Sequence, residues 1–211
     1  MSTSFDIRQV AVIGAGTMGR GIVVSLASAG LPVLWLESNV PTLDAGLAML
    51  EQTWSQQVGK ERITQAEADA NLQRVRPVQN YAALAEADLV IEAVYESLEL
   101  KQEIFRALDA HLKPTAILAS NTSALDIDAI AAVTGRSRQV LGLHYFSPAH
   151  IMKLLEIVRG KDTDSQVLEV ARRLAQRTGK VAVVAGNCPG FIGNRMPVSY
   201  THLTLPTNRE V

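Results

Sequence analysis

The chain has 211 residues, 47% hydrophobic and 19% charged, with 20 basic side chains against 21 acidic ones and a formal net charge of −1. This balance excludes a disordered polyelectrolyte, and with an aromatic content of only 5% it argues against a nucleic-acid-binding face and for a small-molecule ligand. The single cysteine, Cys188, allows neither an internal disulfide nor a zinc cluster and suits a reducing, cytoplasmic setting; no run approaches the ~18 apolar residues of a membrane span, and the first residues carry no signal-peptide core.

In chain order, short β-branched apolar runs alternate with longer helical patterns. Strands are expected near residues 9–13, 33–36, 89–93, 116–119, 140–143, 154–158 and 181–185. Helices fill the gaps. Thr64 and Glu67 form a capping box, and Ser97 caps a segment in which Leu100, Ile104 and Leu108 recur every four residues. Asp164 caps another, with Val167, Leu168, Ala171, Leu174 and Ala175 as its apolar stripe, Arg172, Arg173 and Arg177 facing away, and Gly179 as its stop. The alternation predicts an α/β fold, a doubly wound, mostly parallel sheet covered by helices on both faces.

The first strand runs directly into Gly14-Ala15-Gly16-Thr17-Met18-Gly19 and then a helix-compatible run. In that context G-x-G-x-x-G is a dinucleotide signature. Gly14 permits the tight turn, Gly16 lets backbone approach a pyrophosphate, and Gly19 lets the helix pack closely on the strand. The second strand ends at Glu37, 23 residues beyond Gly14. An acid there accepts hydrogen bonds from the ribose hydroxyls and repels a 2′-phosphate, so NAD is expected rather than NADP.

Glu156 interrupts the apolar run Leu154-Leu155-Glu156-Ile157-Val158 and needs a partner if buried. His144, expected just past the strand at 140–143, is placed to supply one at the ligand crevice. A histidine held by a carboxylate is a general base with its orienting group. A core histidine beside a glutamate on a solvated edge strand fits the residues equally well, and the two readings stand level at this point. Two polar segments, Ser120-Asn121-Thr122-Ser123 and Pro189-Gly190-Phe191-Ile192-Gly193-Asn194-Arg195, follow strands and could bind a substrate oxygen or a nicotinamide amide; the first could equally cap a helix. Cys188 has no basic neighbour at 187 or 189 and reads as an inert thiol, and the histidines lack metal-ligand spacing, so no metal is expected.

The glycine motif, Ile91-Glu92-Ala93-Val94-Tyr95-Glu96, Ser120-Asn121-Thr122-Ser123, His144-Tyr145-Phe146-Ser147-Pro148-Ala149-His150 and the 189–195 segment together closely resemble the 3-hydroxyacyl-CoA dehydrogenases of fatty-acid β-oxidation, from about residue 10 to 196. The resemblance implies a Rossmann domain that carries hydride from C3 of an L-3-hydroxyacyl-CoA to NAD. It implies His144 as general base, Glu156 as its partner, and Ser123 and Asn194 around the substrate oxygen. Cofactor contacts are implied for Gly14, Gly16, Thr17, Met18, Gly19, Glu37, Glu96, Lys101, Ser123 and Ser147, and CoA contacts for Thr53 and Lys60 on the helix after the second strand.

Ser147 replaces the asparagine of many single-function relatives and looks more like the dehydrogenase part of multifunctional hydratase and dehydrogenase enzymes. The expected organisation is a nucleotide-binding domain at 1–187, the start of a linker at 188–196 and a tail at 197–211. That tail resembles translated adapter read-through and is expected to be foreign. A helical second domain, through which such enzymes form homodimers, is expected to be missing. A free hydroxy-acid dehydrogenase of the gulonate 3-dehydrogenase type and a non-catalytic nucleotide-binding fragment are the alternative readings.

Overall fold

The computed structural model describes residues 6–195; the expected foreign tail at 197–211 lies outside them. Eight strands form one sheet in the order β3-β2-β1-β4-β5-β6-β7-β8. They are β1 (Val10–Ile13), β2 (Val33–Leu36), β3 (Val75–Val78), β4 (Leu89–Glu92), β5 (Ile117–Ser120), β6 (Val140–Tyr145), β7 (Leu154–Arg159) and β8 (Val181–Gly186). Every neighbouring pair is parallel except β6 with β7.

Alternate strand residues feed two cores. Val10, Val12, Trp35, Ile91, Leu143 and Ile157 face α1 (Thr17–Ser28), α2 (Val40–Gly59) and α6 (Ser165–Arg177). Ala11, Ile13, Leu34, Val90, Leu118 and Val158 face α4 (Leu98–His111) and α5 (Ile127–Ala131). The central strands are therefore apolar on both sides, as a helix-covered parallel sheet requires. The expected caps form: Thr64 and Glu67 exchange both bonds of the capping box at α3 (Gln65–Gln73), Ser97 accepts from the Leu100 N–H, and Asp164 accepts from the Gln166 N–H.

Three features depart from expectation. Strand β3 was not anticipated, because Arg76 and Pro77 break its apolar pattern; it pairs only with β2 at the sheet edge, where a proline and an exposed arginine are tolerated. Leu100, placed in the apolar stripe of α4, is instead exposed, while Ile104 and Leu108 are buried. Strand β6 runs on to Tyr145, so His144 lies inside an antiparallel pair and not past the exit of a parallel strand. Beyond β8, residues 188–195 fold back on the domain and bury Phe191.

Candidate active site

The chain leaves β1 toward β2 on one side and later enters β4 on the other, so a crevice opens where the strand order reverses, at the carboxyl ends of β1 and β4. Two clefts share the wall Gly16, Ala93, Val94 and Tyr95. The first, about 720 Å³, adds Thr17, Met18, Glu96, Ser123, His144, Ser147 and Asn194. The second, about 560 Å³, adds Gly14, Glu37, Tyr81, Leu100 and Ile104. The exposed leucine of α4 thus becomes cleft wall.

The glycine turn is shaped by close approach. Gly14 has φ +100°, and a Cβ on Gly19 would lie 2.0 Å from the Gly14 carbonyl oxygen, so helix and turn meet at a distance only glycine permits. A Cβ on Gly16 would meet nothing within 4 Å, leaving open space at the helix start. Gly16 is the N-cap of α1 and offers no side-chain bond, and the first turn holds no acidic residue. The amino end of α1 is therefore free to receive an anion. Glu37 Oε2 accepts the Ala15 N–H at 3.0 Å and Oε1 accepts the Asn39 N–H at 2.9 Å, so the carboxylate is fixed at the mouth of the second cleft. Open turn, uncapped helix end and fixed acid fit a dinucleotide diphosphate and its ribose.

At the other end His144 and Glu156 are direct register partners across β6 and β7, and His144 Nδ1 lies 2.7 Å from Glu156 Oε2. Both are buried, and β7 is flanked by strands on both sides. The glutamate is thus not on a solvated edge. Its second oxygen, Oε1, accepts the backbone N–H groups of Ile192 at 3.0 Å and Gly193 at 2.7 Å. With both Glu156 oxygens accepting, Nδ1 is the nitrogen that carries the hydrogen, and in the neutral ring Nε2 keeps its lone pair. Phe146 and Phe191 pack on the imidazole with ring centroids at 4.4 and 5.9 Å, and a Cβ at Gly193 would collide with Phe146 at 2.5 Å.

Ser123 and Asn194 meet beside this pair. Asn194 Nδ2 donates to the Ser123 carbonyl at 2.9 Å. Glu96 Oε1 accepts the Thr122 hydroxyl at 2.6 Å, the Ser123 N–H at 2.9 Å and the Ser123 hydroxyl at 3.1 Å. Burial opposes ionisation of Glu96, yet the Thr122 and Ser123 bonds and the Lys101 charge outweigh it and hold its pKa below the usual carboxylate value. It remains ionised at neutral pH and accepts only, which commits the Ser123 proton to Glu96 and leaves the Ser123 lone pairs for another donor.

Lys101 is buried, 2.7 Å from the equally buried Glu92 and 3.4 Å from Glu96. It lines neither cleft and reaches the site through Glu96. Thr53, whose hydroxyl donates to the Met49 carbonyl, and Lys60, the C-cap of α2, line neither cleft. The loop N–H groups on Glu156 escaped the sequence reading, and Ala93–Tyr95 stood in a motif of the resemblance without a role assigned to them. Backbone donors have no side-chain signature, and only the glycines of the 189–195 segment hint at a close approach.

The family described as "3-hydroxyacyl-CoA dehydrogenase, NAD binding domain" matches residues 9–188. The peroxisomal bifunctional enzyme of Danio rerio is 45% identical over 195 residues, covering 92% of this chain and 26% of the relative. The fatty acid oxidation complex subunit alpha of a Psychrobacter species is 39% identical over 195 residues, covering 92% and 27%. This chain spans about a quarter of the length of these curated relatives. Among solved structures, 3-hydroxybutyryl-CoA dehydrogenase from Escherichia coli superposes with a TM-score of 0.92 at 38% identity, covering 94% of this chain and 42% of that one. The (S)-3-hydroxybutyryl-CoA dehydrogenase of Ralstonia eutropha gives 0.89 at 34%, covering 91% and 68%. With the match spanning most of the chain and the crevice carrying the dinucleotide turn, this protein belongs to the 3-hydroxyacyl-CoA dehydrogenase family, as its NAD binding domain.

Proposed function

We propose that the protein of which this chain is the nucleotide-binding part oxidises the 3-hydroxyl of an L-3-hydroxyacyl-CoA, using NAD, in fatty-acid β-oxidation. The observation that carries the reading is the buried His144–Glu156 pair at 2.7 Å, with Nε2 unpartnered among the described residues and the ring lining the same cleft as Gly16. NAD, when bound, supplies the acceptor for the hydride that leaves C3. His144 Nε2 takes the hydroxyl proton as the carbonyl forms, and Glu156 holds the tautomer and offsets the imidazolium charge. The Asn194 amide donates to the substrate oxygen beside Nε2, and the Ser123 hydroxyl does the same when it turns from Glu96 toward the substrate. Gly14, Gly16, Thr17, Met18 and Gly19 cradle the diphosphate, Glu37 binds the ribose, and Glu96 and Ser147 border the nicotinamide side, with Lys101 orienting Glu96.

The CoA roles of Thr53 and Lys60 rest on the family resemblance, as does homodimerisation through a further domain. Among the described residues no helix is long and apolar enough to cross a membrane. The lone thiol supports a cytoplasmic setting.

The test is a chimera in which this chain replaces the matching segment of the Escherichia coli relative, assayed with acetoacetyl-CoA and NADH. We expect turnover, reduced at least about 10²-fold by His144→Ala with NADH affinity retained. A chimera that binds NADH and reduces free 3-oxo acids in preference to acetoacetyl-CoA overturns the CoA assignment, and near-normal turnover by the alanine variant removes the role of the pair.

A further inference from the structure

The first turn of the glycine motif is gripped by three consecutive residues at the end of β2. The Leu36 carbonyl accepts the Gly14 N–H at 2.9 Å. The Trp35 Nε1–H donates to the Gly14 carbonyl at 3.0 Å, and Glu37 Oε2 accepts the Ala15 N–H at 3.0 Å. The last two bonds hold the two polar atoms of one peptide unit, the one joining Gly14 to Ala15. Trp35 and Glu37 are two residues apart, so their side chains leave the strand on the same side and reach opposite ends of that peptide.

This peptide needs holding. Gly14 has φ +100° and no side chain, so the plane that follows it is fixed by its surroundings, the close approach of Gly19 to the carbonyl and the two hydrogen bonds. A rotated plane would turn the carbonyl dipole toward the place where a diphosphate sits and disturb the N–H array at the start of α1. Trp35 is fully buried, and its indole N–H has the Gly14 carbonyl as its partner. A phenyl or aliphatic side chain would fill much of the same core and leave that carbonyl without its donor, with Glu37 alone bonding the peptide from the other end.

We propose that Trp35 is a positioning residue for dinucleotide binding, fixing the Gly14–Ala15 peptide so that the turn presents N–H groups, and no carbonyl, to the diphosphate. The inference rests on the NAD reading of the crevice and adds a residue whose side chain points into the core and lines neither cleft. Trp54, the other tryptophan, provides an internal comparison: its indole N–H donates to the Ser28 hydroxyl at 3.0 Å.

Trp35→Phe removes the donor and keeps an aromatic ring. Part of its effect could come from the space it opens, so a repacked variant is included. A Cβ on Gly46 would lie 2.6 Å from Trp35 Cη2, so Trp35→Phe with Gly46→Ala refills that space without restoring the N–H. Affinities of the full chain for NADH and ADP-ribose, which carry the diphosphate, and for adenosine, which does not, are measured by calorimetry, with circular dichroism and denaturant midpoints recorded for each variant.

Both Trp35 variants are expected to bind NADH and ADP-ribose about five-fold more weakly, as for loss of one buried hydrogen bond, with adenosine affinity unchanged. Trp54→Phe is expected to match wild type with all three ligands. If the repacked variant recovers wild-type affinity for ADP-ribose, or if adenosine weakens in parallel, Trp35 acts through packing and the proposal is wrong. Wild-type binding with no change in either Trp35 variant also overturns it while leaving the NAD reading intact. A wild-type chain that binds neither NADH nor ADP-ribose overturns the NAD reading and this one with it.

Discussion

Glu156→Gln is nearly isosteric, yet the geometry predicts a large chemical effect. In the wild type Oε1 receives two backbone N–H groups, from Ile192 and Gly193, and Oε2 faces His144 Nδ1 at 2.7 Å. The glutamine must place its single carbonyl oxygen toward the loop, because its NH₂ cannot face two donors. The NH₂ then meets Nδ1, which has to become an acceptor, and the ring hydrogen moves to Nε2. A base whose outward nitrogen already carries hydrogen cannot take a proton from the substrate. The expected loss in the chimera is about 10² to 10⁴ in turnover, or about 3 to 5 kcal/mol of transition-state stabilisation, with NADH affinity little changed. The tautomer itself can be read in this chain from ¹⁵N shifts of labelled histidine: hydrogen on Nδ1 in wild type, on Nε2 in the variant. A variant that keeps the Nδ1 hydrogen, or turns over within a few-fold of wild type, would refute the reasoning.

Three other outcomes follow from named contacts. Glu156→Ala deprives the Ile192 and Gly193 N–H groups and the His144 ring of their acceptor and should lower unfolding free energy by about 2 kcal/mol or more, measured by urea titration; a change under about 0.5 kcal/mol contradicts the hydrogen-bond account. Glu37→Ala should weaken NADH more than NADPH, because it removes both the ribose acceptor and the repulsion of a 2′-phosphate, and an unchanged ratio of the two Kd values ends the specificity argument. Glu96 has a lowered pKa in the fold, so its contribution to stability is complete above the unfolded value of about 4.3 and disappears as pH falls through the lower folded value. Glu96→Gln should therefore flatten the acid limb of the stability curve below about pH 4; an unaltered limb shows that the Thr122 and Ser123 bonds do not hold the charge.

Much of the frame was readable because the signals were local. Seven strands, the capped helices and the glycine turn each depend on residues within one short window, and Gly19 and Glu37 stand where the spacing put them. What escaped reading depended on pairing partners distant in sequence. Strand β3 forms because β2 offers an edge, not because Val75-Arg76-Pro77-Val78 favours extension. The sequence left His144 and Glu156 with two equal readings, since neither the antiparallel register that sets them opposite nor the two loop N–H groups that complete the carboxylate's coordination is written in either residue's neighbourhood. Lys101, implied by resemblance as a cofactor contact, lies 2.7 Å from Glu92 and 3.4 Å from Glu96, an arrangement visible only once α4 is packed beside β4.

If one crevice brings a dinucleotide and the His144–Glu156 pair together, a bound dinucleotide must be felt at the imidazole. The most direct measurement is a titration of ¹⁵N-histidine-labelled chain with NADH, following the imidazole signals. His144, which lines the cleft with Gly16, Thr17 and Met18, should shift in proportion to bound NADH. Saturable binding that leaves His144 unmoved, or the absence of binding, would contradict the account.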